Sequence, residues 1–349
     1  MASDRVRRHA NKRQSTIGAR EGRRPLHRRR FLLGVSALLA MHRAVGAAPP
    51  GRTYRIGILE AIPAAQNARN LDALREGLRA LGYVEGRNLV IEYRSADGHA
   101  ERFPALAAEL VRLHMDLIVT RGTPAAEAAK HATQTIPVVM ATMGDPRALV
   151  TSFAHPGGNI TGVTTFSTEL MAKRIELLKE LVPTLSRVAL LHDMGNPAAP
   201  PEWQETQAAA RSLGLRAELL DVRSEEDLRA AFARATRDHV DALIVGADGL
   251  TQLHQRDIVA LAAGYGLPTS YPGREFVDAG GLVSYGVRYV DLYARFAGLA
   301  DRIFRGERPA DLPVERPTTF ELVINLRTAK ALGITIPQAV LLRADEVMQ

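Results

Sequence analysis

Arg121-Gly122-Thr123-Pro124-Ala125 follows the apolar run Leu117-Ile118-Val119 with only Thr120 between. A guanidinium at the rim of a buried strand can clamp a carboxylate through parallel N–H donors. Thr123 before Pro124 reads as a helix N-cap with proline at the first helical position. A helix start also turns backbone N–H groups toward an anion. Further strand exits carry small and polar residues: Ala61 after the first strand, Met143-Gly144-Asp145 after the fourth, then Asp193 and Asn196, Asp248-Gly249, Tyr271, and Tyr285. In open α/β sheets ligands lie beyond the carboxyl ends of the strands, so these residues form the candidate ligand-binding set. Asp248 or Asp145 suits a ligand ammonium. Tyr271 and Tyr285 suit stacking on an aromatic guest. Each has a plainer role too: Thr123 and Asp248 as caps, Arg121 as a surface charge, Asp145 as a turn former, the tyrosines as core.

Signs of catalysis are missing. There is no Gly-x-Ser-x-Gly elbow, no phosphate loop, no Gly-x-Gly-x-x-Gly fingerprint and no His-Glu-x-x-His. His239 and Asp241 flank Val240, but metal sites need three or four convergent ligands. The expectation is a binding protein with no catalytic residue, no metal and no cofactor.

From Tyr54 onward apolar strands alternate with amphipathic helices. Leu71, Leu74, Leu78 and Leu81 recur at helical spacing, and Gly82 stops that helix. The order then repeats. Leu81-Gly82 parallels Leu213-Gly214, and Asp116 before Leu117-Ile118-Val119 parallels Asp241 before Ala242-Leu243-Ile244-Val245. Repeated βα units imply parallel sheets covered on both faces. The predicted fold is α/β, with two doubly wound Rossmann-like lobes joined by a hinge. Residues 48–160 form the first lobe, 161–283 the second, and 284–349 a return segment bracing both. His155-Pro156-Gly157-Gly158-Asn159-Ile160-Thr161-Gly162 is read as the join.

The start of the chain has its own pattern. His27-Arg28-Arg29-Arg30-Phe31-Leu32-Leu33 precedes an apolar run to Met41 and the small residues Ala44-Val45-Gly46-Ala47-Ala48. Arginines, a short apolar segment and a small-residue site are the parts of an export signal, twin-arginine-like here, cut near Ala47. The plainer reading is an Arg-rich tail before a buried helix. Residues 1–47 hold twelve Lys/Arg and two acids. The +7 of the whole chain therefore leaves the remainder at −3, which excludes nucleic acid as the main partner. With no cysteine, neither disulfides nor a lipidated anchor are available, so a soluble periplasmic product is expected.

Several stretches, in this order and spacing, resemble the substrate-binding components of bacterial ABC importers in the group that includes tryptophan and other aromatic-amino-acid-binding proteins. They are Arg55-Ile56-Gly57-Ile58-Leu59, Thr123-Pro124-Ala125-Ala126, Gly144-Asp145-Pro146, Pro156-Gly157-Gly158-Asn159-Ile160-Thr161-Gly162, Gly273-Arg274-Glu275-Phe276-Val277, Tyr285-Gly286, and Phe320-Glu321-Leu322-Val323-Ile324-Asn325 with Thr328 to Pro337. The resemblance runs from Tyr54 to the C-terminus. It implies a type I periplasmic binding protein with three interlobe crossovers, and it places the Thr123, Asp145 and Asp248 loops along the cleft. The segment after Asp145 is shorter than usual for the family, and the cysteine-free leader also departs from it.

The expected function is a monomeric periplasmic receptor that traps a small, amino-acid-like molecule and presents it to an ABC permease in the inner membrane. A sensor feeding a membrane signalling protein would share the fold. An exported enzyme on the same scaffold would turn its ligand over. A repressor would carry a DNA-binding helix pair instead of a leader.

Overall fold

The structure is a computed structural model describing residues 51–349 other than Gly144 and Asp145, with residues 141–143 described as backbone. The export-signal reading falls on residues 1–47 and lies outside the described residues. Among the described residues, no helix is long and apolar enough to cross a membrane.

The first lobe runs β1 (Tyr54–Glu60), α1 (Ala68–Ala80), β2 (Leu89–Ser95), α2 (Phe103–Arg112), β3 (Leu117–Thr120), α3 (Thr123–Ala132), β4 (Val138–Met143) and β5 (Ile160–Thr164). Its strands pair in the order β2-β1-β3-β4-β5, all parallel. The second lobe runs α4 (Ser167–Leu181), β6 (Arg187–His192), α5 (Ala199–Ser212), β7 (Arg216–Asp221), α6 (Glu225–Arg237), β8 (Ala242–Val245), α7 (Gly249–Leu253), α8 (Gln255–Gly264), β9 (Thr269–Tyr271), α9 (Arg274–Asp278) and β10 (Val283–Gly286). The chain then forms α10 (Tyr289–Phe304), β11 (Glu321–Asn325), α11 (Leu326–Ala331), α12 (Gln338–Leu341) and β12 (Glu346–Met348). The second sheet has the order β12-β11-β10-β9-β8-β6-β7, with β11 antiparallel to β10.

The repeat read in the sequence is physical. Gly82 and Gly214 take φ of 91° and 69°. Each lets the next residue donate back into the helix, Tyr83 to Leu78 at 2.9 Å and Leu215 to Ala210 at 2.8 Å, which closes off α1 and α5 alike. The carboxylate of Asp116 accepts from the backbone N–H of Arg55, and that of Asp241 from Arg187, each at 2.8 Å. In both lobes the same Asp ties the start of the third strand to that of the first.

Sheet membership shifts the boundaries expected from the sequence. Ile160–Thr164 is not a strand between lobes; it pairs with β4 as the last strand of the first sheet. The reason is burial: all five residues are covered, and the crossing waits for the polar stretch after Thr164. The chain passes between lobes at 164–167, at 286–289 and again after Glu315, which bridges Val163. The return segment is itself divided. α10 covers the first lobe, where Tyr293, Phe296 and Ala300 join Ile56, Leu74 and Leu78 in one core, while β11 and β12 extend the second sheet. Gly77 allows the close α1–α10 approach, since a Cβ there would lie 2.7 Å from that of Ala297. Tyr83 donates to Asp301, 218 residues further along.

Candidate functional site

Between the lobes lies a cleft enclosing about 720 Å³, its open mouth included. The first lobe contributes Glu60, Ala61, Gly98, Ala100, Phe103 and the segment Arg121 to Pro124. The second contributes Asp193, Asn196, Ala198 and Ala247 to Leu250. Thr165, Ser167 and Tyr289 come from the crossovers. The lobes touch here: a Cβ on Gly249 would stand 2.5 Å from that of Ala61, and one on Gly98 would stand 2.6 Å from Leu253.

The first-lobe wall is built on a buried pair. Glu60 ends β1 at 1% exposure, and Arg121 follows β3 at 8%. Their charged atoms lie 3.7 Å apart. Glu60 Oε1 accepts from the Ala61 N–H at 2.8 Å, and Oε2 from the Tyr293 hydroxyl at 2.7 Å and the Asn67 amide at 3.3 Å. Burial is the larger effect and leaves the Glu60 pKa raised, although Arg121, the Tyr293 hydroxyl and the Ala61 N–H each pull it down. Its recorded neighbours are donors, the surroundings of a carboxylate. The guanidinium of Arg121 lies 4.5 Å over the Tyr289 ring, and its Nη1 reaches Asn67 Oδ1 at 3.4 Å. Although burial works against the charge, Glu60 raises the Arg121 pKa, so it stays a cation.

Beside Arg121, α3 begins without a side-chain cap. The sequence reading made Thr123 the cap; instead Gly122 takes that place with φ 83°, and Thr123 and Pro124 are the first helical residues. The turn out of the buried strand needs a left-handed residue, which Gly supplies and Thr does not. Thr123 Oγ1 is buried with no hydrogen-bond partner, on a residue that lines the cleft. Together with the unpaired N–H groups of the first turn it makes this wall a donor surface.

The second-lobe wall carries the opposite sign. Asp248 caps α7, accepting from Thr251 N–H at 2.7 Å through Oδ1 and from Asp193 N–H at 3.3 Å through Oδ2. Behind it His192, fully buried at the end of β6, places Nδ1 2.9 Å from Asp248 Oδ2 and Nε2 3.1 Å from Glu202 Oε2. The first contact lies off the N–H direction and acts as an ion pair. Burial opposes the imidazolium, but the two carboxylates outweigh it and push the pKa up to about 10. The same contacts lower that of Asp248 against the effect of burial. Glu202 also accepts from Ser167 Oγ. Asp193 Oδ1 accepts from Gly195 N–H at 2.7 Å, and Oδ2 has no hydrogen-bond partner among the described residues. Burial raises its pKa.

Of the sequence candidates, Ala61, Arg121, Gly122, Thr123, Pro124, Asp193, Asn196, Asp248 and Gly249 meet in the cleft. Three others are placed elsewhere. Ala125 is wholly buried in the first lobe's core. Tyr271 is buried in the second lobe, stacked on Phe276 at 5.0 Å, so it faces the core and not a guest. Tyr285 packs against Phe320 and a separate core, its carbonyl accepting from buried Arg174. Tyr271 pairs with Ser284, so strand alternation turns Tyr285 to the opposite face of the sheet, and each ring packs under its own layer of helices and strands. Met143 ends β4, and Gly144 and Asp145 lie outside the described residues. Sequence reasoning passed over Glu60, Phe103, Ser167, Gln252 and Tyr289 on the cleft, and His192 behind it. One signal was available: both Arg-Ile-Gly-Ile-Leu-Glu and Arg-Val-Ala-Leu-Leu-His close an otherwise buried strand on a titratable residue. Away from the cleft, Glu225, His254 and Asp257 bring ligand atoms within 4.8 Å of one another, largely exposed.

The family model described as ABC transporter substrate binding protein matches residues 55–348. A tyrosine-binding protein of Clostridioides difficile (strain R20291) is 26% identical over 271 residues, 76% of this chain and 78% of that protein. The ABC domain from Streptococcus pneumonia, solved in complex with L-Trp, is 29% identical with a TM-score of 0.77, covering 84% of this chain and all of the other. A conserved domain protein from Vibrio cholerae is 27% identical with a TM-score of 0.80, over 85% of this chain and all of that one.

Proposed function

The chain belongs to the ABC transporter substrate binding protein family, and from that premise we propose that it captures an amino-acid-like zwitterion between its lobes, outside the cytoplasmic membrane, and delivers it to the permease of an importer. The observation that carries the ligand class is the opposed sign of the two walls. The ligand carboxylate meets Arg121, Thr123 Oγ1 and the open start of α3. Its ammonium meets the free oxygen of Asp193, in the field of Asp248. The relatives that bind tyrosine and L-Trp support an aromatic side chain, for which Phe103 and Tyr289 are the aromatic groups at hand. Closure is the signal the permease reads, and Gly249 against Ala61 is where closure brings the lobes into contact. The family is one of substrate binding proteins, which supports binding and release over turnover.

Calorimetry with L-tyrosine, L-tryptophan and a panel of small carboxylates and amines tests this. A ligand at 100 times its Kd stabilises the protein by about 2.7 kcal/mol, which a melting curve resolves. Preference for dicarboxylates, or no response to any amino acid, overturns the ligand class. Uptake assays with a permease-bearing membrane test delivery.

A further inference from the structure

The zwitterion reading gives a role to a group that touches no part of the cleft. We propose that His192 is a positioning residue for ligand capture, the second lobe's counterpart of Glu60: each, from the end of its lobe's first strand, holds the charged residue that gives its wall its sign. β1 lies between β2 and β3, and β6 between β7 and β8, so the two strands occupy one topological place. Glu60 reaches across to Arg121 beyond β3, and His192 to Asp248 beyond β8. The pairs are alike in burial and opposite in sign.

The second pair does more than balance charge. Asp248 begins α7 and also accepts from the backbone N–H of Asp193, the residue with the free oxygen. His192 therefore fixes, through one carboxylate, both the loop that meets the ammonium and the helix that meets Ala61. The site is built for this ring: a Cβ on Gly246 would lie 2.1 Å from the imidazole. Glu202 and Asp248 face the ring directly, with Asp193 beyond Asp248. Arg174, buried on α4, adds a positive charge near Glu202 while donating to the Tyr285 carbonyl at 2.9 Å. Without the imidazolium, Asp248 and Glu202 are left as buried carboxylates, and a proton taken up by Asp248 weakens its hold on the Asp193 and Thr251 N–H groups, which it accepts through separate oxygens.

The test uses His192→Gln and the unaltered protein, with L-tyrosine and L-tryptophan as probes. The readout is the ratio of variant to wild-type Kd, in which the titration of the probe cancels; the Asp193 carboxyl, which His192 also holds down, shifts upward in the variant in the same sense as that of Asp248. The ratio should be roughly tenfold larger at pH 5 than at pH 8. An equal loss at both values means a merely structural residue and overturns the proposal. If the variant does not fold, nitrogen NMR of the histidine rings in the wild-type protein decides: His192 should remain doubly protonated at pH 8, and a neutral ring there overturns it. A wild-type protein that ignores both amino acids defeats the ligand proposed above, and the NMR measurement still judges His192.

Discussion

At the end of β1 the first lobe places an acid holding a base, and at the end of β6 the second lobe places a base holding an acid. The helices that follow differ in the same sense. α3 starts on Gly122, which has no side chain to occupy a free N–H, whereas α7 starts on Asp248, whose carboxylate accepts from that of Thr251. One scaffold used twice has thus been given two walls of opposite polarity by changing the terminal residue of a strand, a residue after its neighbour and a helix cap. A symmetric pair of lobes would suit a ligand with the same charge at both ends. This pair suits one with a plus and a minus.

The harshest way to break the comparison is Arg121→Met. It leaves Glu60 buried without its cation and should cost about 3–5 kcal/mol of stability, measured by denaturant unfolding, with amino-acid binding lost. A cost below about 1 kcal/mol would mean that the first wall is not held by an ion pair. The second pair is best probed with pH. His192 has its pKa raised from the ordinary 6.5 to about 10, so it binds a proton more tightly folded than unfolded. Its contribution is complete below about pH 6.5 and drains away as the pH rises through 10. Unfolding free energy should fall across that window by a few kcal/mol, and His192→Gln should flatten the fall.

Milder changes separate the walls from their closure. Gly249→Val puts a side chain against Ala61 and should weaken L-tyrosine binding roughly tenfold, leaving the ligand-free melting temperature nearly unchanged. Unaltered affinity would place the closing contact elsewhere. Smallest of all, Arg69→Ala removes an interlobe pair with Asp278 at 3.1 Å whose arginine is 70% exposed. Such pairs contribute up to about 1 kcal/mol, so Kd should change less than about fivefold.

The sequence made the repeated βα order readable because strands buried on both faces are continuous apolar runs and helices stop at Gly82 and Gly214. It made the loops of the cleft readable too, since those loops follow from strand order. What it hid was pairing across the chain. Nothing local says that Glu60 meets Arg121 or that His192 meets Asp248 and Glu202, because these partners converge only when β3 and β8 take their places beside the first strands. Thr123-Pro124 misled for a local reason: the cap belongs to whichever residue makes the turn, and here that turn is left-handed. Tyr271 misled because strand-end tyrosines read alike whether they face a guest or a neighbouring phenylalanine.

The embrace of α1 by α10 has a consequence for how the chain comes to its shape. The first lobe keeps an apolar flank bare until residues beyond Tyr289 have been made and have crossed back to it, and the second sheet is unfinished until β12 is added. Cutting at any single junction therefore yields no self-sufficient half, and the order of synthesis is not the order of completion: the lobe begun first must wait for nearly the whole polypeptide before it can be sealed.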